Sequence, residues 1–157
     1  MRTLAKDENA VSLSIGFILT FSITVLVLVI ILTSFYSLMN QAEQTVMRDE
    51  FEIHGNDIAV KITTIDTMAG TAIRSGSSVG EIRYEISLPD KIAGKEYSIE
   101  FSNATNEMIF SSEERDDTRV KIPFSTEDTT LLSTTLYSSK GEYRINYNPA
   151  ANTIEIN

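Results

Sequence analysis

The sequence predicts an α+β protein in which a long N-terminal, transmembrane helix is followed by an antiparallel β-sheet or small β-sandwich head. Three features carry this. Nothing ionises between Glu8 and Glu43, and Ala10 to Leu38 is apolar on all faces, whereas a bilayer core about 30 Å thick needs only about 20 such residues at about 1.5 Å rise each. Helical spacing of apolar residues then continues to Arg74. Beyond Gly76 the pattern changes to alternation, in six or seven short runs separated by turn residues.

Composition bounds what such a chain can do. It has 157 residues, no Cys, no Trp, one His and a formal charge of −9. Beyond the apolar block about 120 residues remain, enough for one domain with a modest core. Without cysteine no disulfide framework exists, so that domain holds by packing alone. Arg2 and Lys6 balance Asp7 and Glu8, which leaves the whole negative charge beyond the block. An acidic domain argues against nucleic acid, whose binding depends on Lys and Arg neutralising phosphates.

Residues 1–9 are too short and polar to fold, and Asp7 and Glu8 sit where the dipole of the coming helix favours anions. Residues 11–38 form the hydrophobic transmembrane and assembly helix, densest from Phe21 to Leu32. Its hydroxyls, among them Thr20, Ser22, Thr24 and Thr33, can bond back to the carbonyl one turn earlier. The block exceeds the 7–15 residues of a signal-peptide core and no small-x-small site follows it. Arg2 and Lys6 on the short side, against Arg48 near Asp49, Glu50 and Glu52, favour a cytoplasmic N-terminus and an extracellular C-terminal domain. Ser12, Gly16 and Thr20, at four-residue spacing, would allow close helix approach on one face. Simple tolerance of small residues in membrane helices gives the same pattern.

Residues 39–74 read as a helical stalk. Leu38, Ala42 and Val46 recur at four-residue spacing, Gly55-Asn56 predicts a kink or break, and Asp57 to Arg74 places Ile58, Ile62, Ile65, Ala69 and Ile73 on one helical face. Ile58, Val60 and Ile62 also alternate as a strand would, but helix is preferred, its apolar face packed on the sheet that follows. Residues 75–157 form the head. Strands are expected around Ile82–Ile86, Tyr97–Phe101, Met108–Phe110, Val120–Phe124, Leu131–Ser138, Tyr143–Tyr147 and Ile154–Ile156, the last tied into the sheet.

Catalytic material is sparse. His54 has no Cys or second His to join it in a zinc site or a triad, so it reads as a solvated or packing residue. Glu113, Glu114, Asp116 and Asp117 lack the spacing of a calcium loop and read as a solvated acidic turn. No cofactor, metal or enzymatic activity is expected. Asn103-Ala104-Thr105 fits the N-glycosylation sequon in a predicted turn, a pattern that also arises by chance in a chain rich in Asn, Ser and Thr.

The run Ala10-Val11-Ser12, then Ile15-Gly16-Phe17-Ile18-Leu19 and Ile23-Thr24-Val25, resembles the N-termini of archaeal type IV pilins and their pilin-like relatives. The resemblance covers roughly the first quarter of the chain. It implies a leader at 1–10 cut by a prepilin peptidase between Ala10 and Val11, with Asn9, Ala10, Val11 and Ser12 forming the cleavage site. Family leaders usually carry a charged residue where Asn9 stands, and many members have proline after the serine, where this chain has Leu13. The released helix would bundle with identical helices or those of other pilin-like subunits, giving a structural or adhesive filament subunit on the cell surface. Two other readings stay open: an uncleaved single-pass membrane anchor carrying an extracellular β binding domain, and a membrane-tethered enzyme, which the sparse site residues disfavour.

Overall fold

A computed structural model describes residues 4–113 and 118–157, with side chains inside the N-terminal helix described from Leu13 onward. It has the expected α+β class: one long helix, then two four-stranded sheets. The chain divides into two compact units, residues 1–42 and 43–157.

The helix α1 spans Leu4–Arg74, so the N-terminal stretch expected to be too short and polar to fold is helical from Leu4, as an extension of the apolar helix that needs no nucleus of its own. The break expected at Gly55-Asn56 is absent: both residues are helical. Gly55 serves packing rather than termination. A Cβ built there would overlap the Ile122 side chain and crowd the Phe110 ring, so the missing side chain lets a strand residue press onto the helix backbone. Asp57 to Arg74 is helical as expected, and Ile58, Ile62, Ile65 and Ala69 are fully buried, while Ile73 is 52% exposed near the helix end. On the preceding turns Leu38 and Val46 face outward, and Met47 and Phe51 are the residues that enter the core.

The strands are β1 (Ile82–Ser87), β2 (Tyr97–Ser102), β3 (Glu107–Ser112), β4 (Arg119–Pro123), β5 (Thr130–Leu131), β6 (Thr134–Tyr137), β7 (Glu142–Asn148) and β8 (Thr153–Ile156). The first sheet runs β1-β7-β8-β5 and the second β4-β3-β2-β6. Every pairing is antiparallel except β5 with β8, which is parallel. The single strand expected over Leu131–Ser138 is two strands in different sheets, with Leu132 and Ser133 carrying the chain between them. Two inward leucines explain the split: Leu131 is buried with the first sheet beside Ile154, and Leu136 with the second beside Ile99.

Each sheet buries one face, following the period-two rule. Ile86, Tyr143, Ile145, Tyr147, Ile154 and Ile156 line the first; Tyr97, Ile99, Phe101, Met108, Phe110 and Ile122 line the second. These faces and the buried residues of α1 from Met47 to Ala69 make one core. Its densest part is a ring cluster in which Phe51 lies 5.3 Å from Tyr97 and 5.1 Å from Phe110, centroid to centroid. The C-terminal strand is paired as expected, and Asn157 exchanges backbone hydrogen bonds with Arg144 at 2.9 and 3.1 Å.

Candidate functional site

The segment from Leu13 to Met39 presents large apolar side chains to the surroundings on every face of the helix. Its most apolar 18-residue window has a mean hydropathy of 3.0. Contiguous exposed apolar surface beyond a few hundred Å² marks contact with a membrane or another protein. Near the N-terminus this helix is long and apolar enough to cross a membrane.

Four of the hydroxyls in the segment are satisfied within it. The Thr20 hydroxyl donates to the Gly16 carbonyl at 2.9 Å, Ser22 to Ile18 at 2.8 Å and Thr24 to Thr20 at 2.9 Å. Thr33 donates to Val29 and Ile30 at 3.0 and 2.9 Å. A hydroxyl facing hydrocarbon without a partner would oppose insertion, and these four residues avoid that. Gly16 stands in open space, since a Cβ there would meet nothing within 4 Å. The backbone of Asn9, Ala10, Val11 and Ser12 belongs to α1, and their side chains lie outside the described residues.

In the head the most constrained polar group is Asp66, buried at 5% exposure among apolar residues of α1. Its Oδ2 accepts the Glu127 N–H at 2.9 Å, while Oδ1 accepts the N–H groups of Asp128 and Thr129 at 3.0 and 2.7 Å and the Thr129 hydroxyl at 2.8 Å. One turn on, a Cβ at Gly70 would overlap the Asp128 carboxylate, which pairs with Arg74 through Nη1 at 2.8 and 3.0 Å. Thr63, whose hydroxyl donates to the Ser125 carbonyl at 3.5 Å, then Asp66, Gly70 and Arg74 form one row along α1 that holds the loop 125–129. The carboxylate is fully occupied by donors, so its task is to fix the chain between β4 and β5. Periodicity alone hides it, because an Asp between Ile65 and Ala69 reads as an interruption of the apolar row; that interruption was the available signal.

A second polar group gathers tyrosines. The Tyr97 hydroxyl donates to the Pro89 carbonyl at 2.9 Å. Burial foremost, then the neighbouring Tyr143 and Asp90, push its phenol well above the ordinary tyrosine range. The Tyr143 hydroxyl accepts the Tyr137 N–H at 2.9 Å and donates to the Tyr137 carbonyl, which secures the end of β6. Beside α1 lies an open groove of about 660 Å³ whose lining, including Val60, Met68 and Phe124, contains no ionisable residue.

His54 sits 3.5 Å from Glu50 on the same helix. Among the described residues no group of three or more His, Asp or Glu is placed to hold a metal ion. Glu114, Asp116 and Asp117 of the expected acidic turn lie outside the described residues. Asn103 is exposed in the turn between β2 and β3, with its N–H donated to the Ser133 hydroxyl at 3.1 Å.

A family model described as a family of unknown function, DUF7266, matches residues 6–157. No curated protein and no solved structure matches the chain.

Proposed function

We propose that this chain, which belongs to DUF7266, a family of unknown function, is a pilin-like surface protein of an archaeal cell. It is inserted through its N-terminal helix with the β head outside, and after leader cleavage it acts as a structural or adhesive filament subunit. The observation that carries the reading is the uncharged, exposed apolar stretch of α1 from Leu13 to Met39, which runs on directly from Asn9-Ala10-Val11-Ser12. The prepilin peptidase is its processing partner, other helices of the same kind are its assembly partners, and the head contributes a surface rather than a reaction centre. A head whose buried carboxylate is spent on four internal hydrogen bonds supports a structural role.

The test is the intact mass of the protein purified from membranes of a host with a prepilin peptidase and of one without. The expected product begins at Val11 only where the peptidase is present, and Ala10→Asp abolishes its formation. Recovery of the full chain from Met1 in both hosts overturns the pilin reading and leaves the uncleaved anchor with a binding domain.

A further inference from the structure

The two sheets end in edges of opposite character. Strand β1 is an edge of the first sheet, paired only with β7. The Leu88 N–H donates to the Gly141 carbonyl, and Arg144 exchanges bonds with Asn157 on the far side of β7. Backbone groups alternate in direction along an antiparallel strand. Those of Ile82, Tyr84 and Ile86 therefore face β7, and those of Arg83 and Glu85 face outward, with no partner among the described residues. Both side chains are exposed, Arg83 at 64% and Glu85 at 84%. On the core side of the same strand Ile82 and Tyr84 are only half-buried.

Strand β4, an edge of the second sheet, is blunted. The Phe124 N–H donates to the Asn106 carbonyl, so Lys121 and Pro123 are the residues turned to the open side. Pro123 has no N–H to offer, and a second β4 laid antiparallel about Lys121 would set two ammonium groups opposite each other. Lysine and proline at an edge are the usual means of preventing strand addition. Strand β1 has neither.

We propose that β1 is a docking edge for β1 of a second copy of this chain, joining two first sheets antiparallel about Tyr84. Charge selects both the partner and the register. Pairing about Arg83 or about Glu85 sets like charges face to face; pairing about Tyr84 sets Arg83 opposite the second copy's Glu85 twice, related by the two-fold axis. In that register Arg83 and Glu85 are the residues whose N–H and C=O groups face outward, so each such pair exchanges two backbone hydrogen bonds. Ile82 meets Ile86, Tyr84 meets Tyr84, and the half-exposed apolar row of β1 is covered. Glu81, now 2.7 Å from Arg83, and Arg144, 3.8 Å from Glu85, flank the new pairs and leave the local charge balanced. The contact uses the head and is independent of how the N-terminal helix is processed.

The chain has no cysteine, so single cysteines report the contact directly. Tyr84 faces its own copy at a non-hydrogen-bonded position, where Cα atoms about 4.5 Å apart suit a disulfide. Full-length Tyr84→Cys, purified in detergent and oxidised, is expected to give a disulfide dimer of twice the chain mass in several-fold higher yield than Lys121→Cys at the blunted edge. Mixing full-length Arg83→Cys with full-length Glu85→Cys keeps the test valid if Tyr84→Cys misfolds, because the mixed dimer then forms in preference to either homodimer. Adding Glu85→Arg to Tyr84→Cys lowers the yield several-fold, and adding Arg83→Glu to that variant restores it. Equal yields at Tyr84 and Lys121, absence of preference in the mixture, or a yield unmoved by charge exchange overturns the proposal.

Discussion

Asp66 concentrates more structural consequence than any other single side chain in the head. Four donors from loop 125–129 converge on a buried carboxylate, and hydrogen bonds to a charged group are each worth about 1.5–3 kcal/mol, with stranded donors costing more. Asp66→Ala is expected to destabilise the head by about 3 kcal/mol. Asp66→Asn costs less, since only the Glu127 N–H then meets an amide donor. Urea titration of the detergent-solubilised chain, followed by tyrosine fluorescence, measures both. Gly55→Ala inverts the usual rule for helix interiors, where alanine gains about 1 kcal/mol over glycine. The overlap with Ile122 makes it destabilising, by about 1–3 kcal/mol as for other overpacked sites. Tyr97 gives a pH signature. Its folded phenol holds the proton more tightly than the unfolded chain does. Stability from this group is complete below about pH 10, the ordinary tyrosine value, and falls as pH rises further, because the unfolded state releases a proton that the folded state keeps. Tyr97→Phe loses about 1 kcal/mol at neutral pH with the bond to Pro89, and its stability declines less steeply in the alkaline range. At this scale the sequence conveyed which residues are apolar and left their directions unsaid. Leu38 and Val46 carry the same apolar character as Met47 and Phe51, and only the position of the sheets decides which pair is buried.

Among the elements, α1 was legible in its C-terminal limit at Arg74 and misjudged at its start, which lies at Leu4, and in its continuity through Gly55-Asn56. Gly55-Asn56 weakens a helix by propensity alone, yet contacts made by Phe51, Ile58 and Ile62 on either side hold the helix through it, as tertiary packing commonly does. Phe51→Ala is accordingly expected to cost about 3–5 kcal/mol, because it removes the ring shared by Tyr97 and Phe110. Val60→Ala, on the exposed side of the same helix, stays within about 0.5 kcal/mol of the parent. The same urea titration compares them. The strands with clean alternation, β1, β2 and β7, lie where period two places them. The Leu131–Ser138 run hid a change of sheet, since alternation reports which face is buried and carries nothing about which neighbour is paired. The parallel partnership of β5 with β8 joins residues over 20 positions apart in sequence, a distance no local pattern encodes.

For the whole molecule the division of labour follows polarity. Every Asp, Glu, Lys, Arg and His C-terminal to Glu8 lies at or beyond Glu43, and the intervening helix is apolar outward. An arginine in the middle of a membrane helix costs about 2.5–3.5 kcal/mol on insertion scales. Leu28→Arg is therefore expected to shift the chain from the carbonate-resistant membrane fraction toward the soluble or degraded pool, while Val60→Arg leaves the fractionation unchanged. The order of the first sheet also governs how the head comes into being. Strand β8 occupies an interior position between β7 and β5, yet it is synthesised after both. Until Thr153–Ile156 arrives, β5 has no neighbour in its sheet and β7 is paired on one side only. Strand β8 follows β7 through a short turn and folds back on it as a hairpin, and its other side supplies the parallel partner for β5, which lies far earlier in the sequence. The last strand therefore decides whether β5 belongs to the sheet at all: without Thr153–Ile156, β5 and one side of β7 would both be left without a partner.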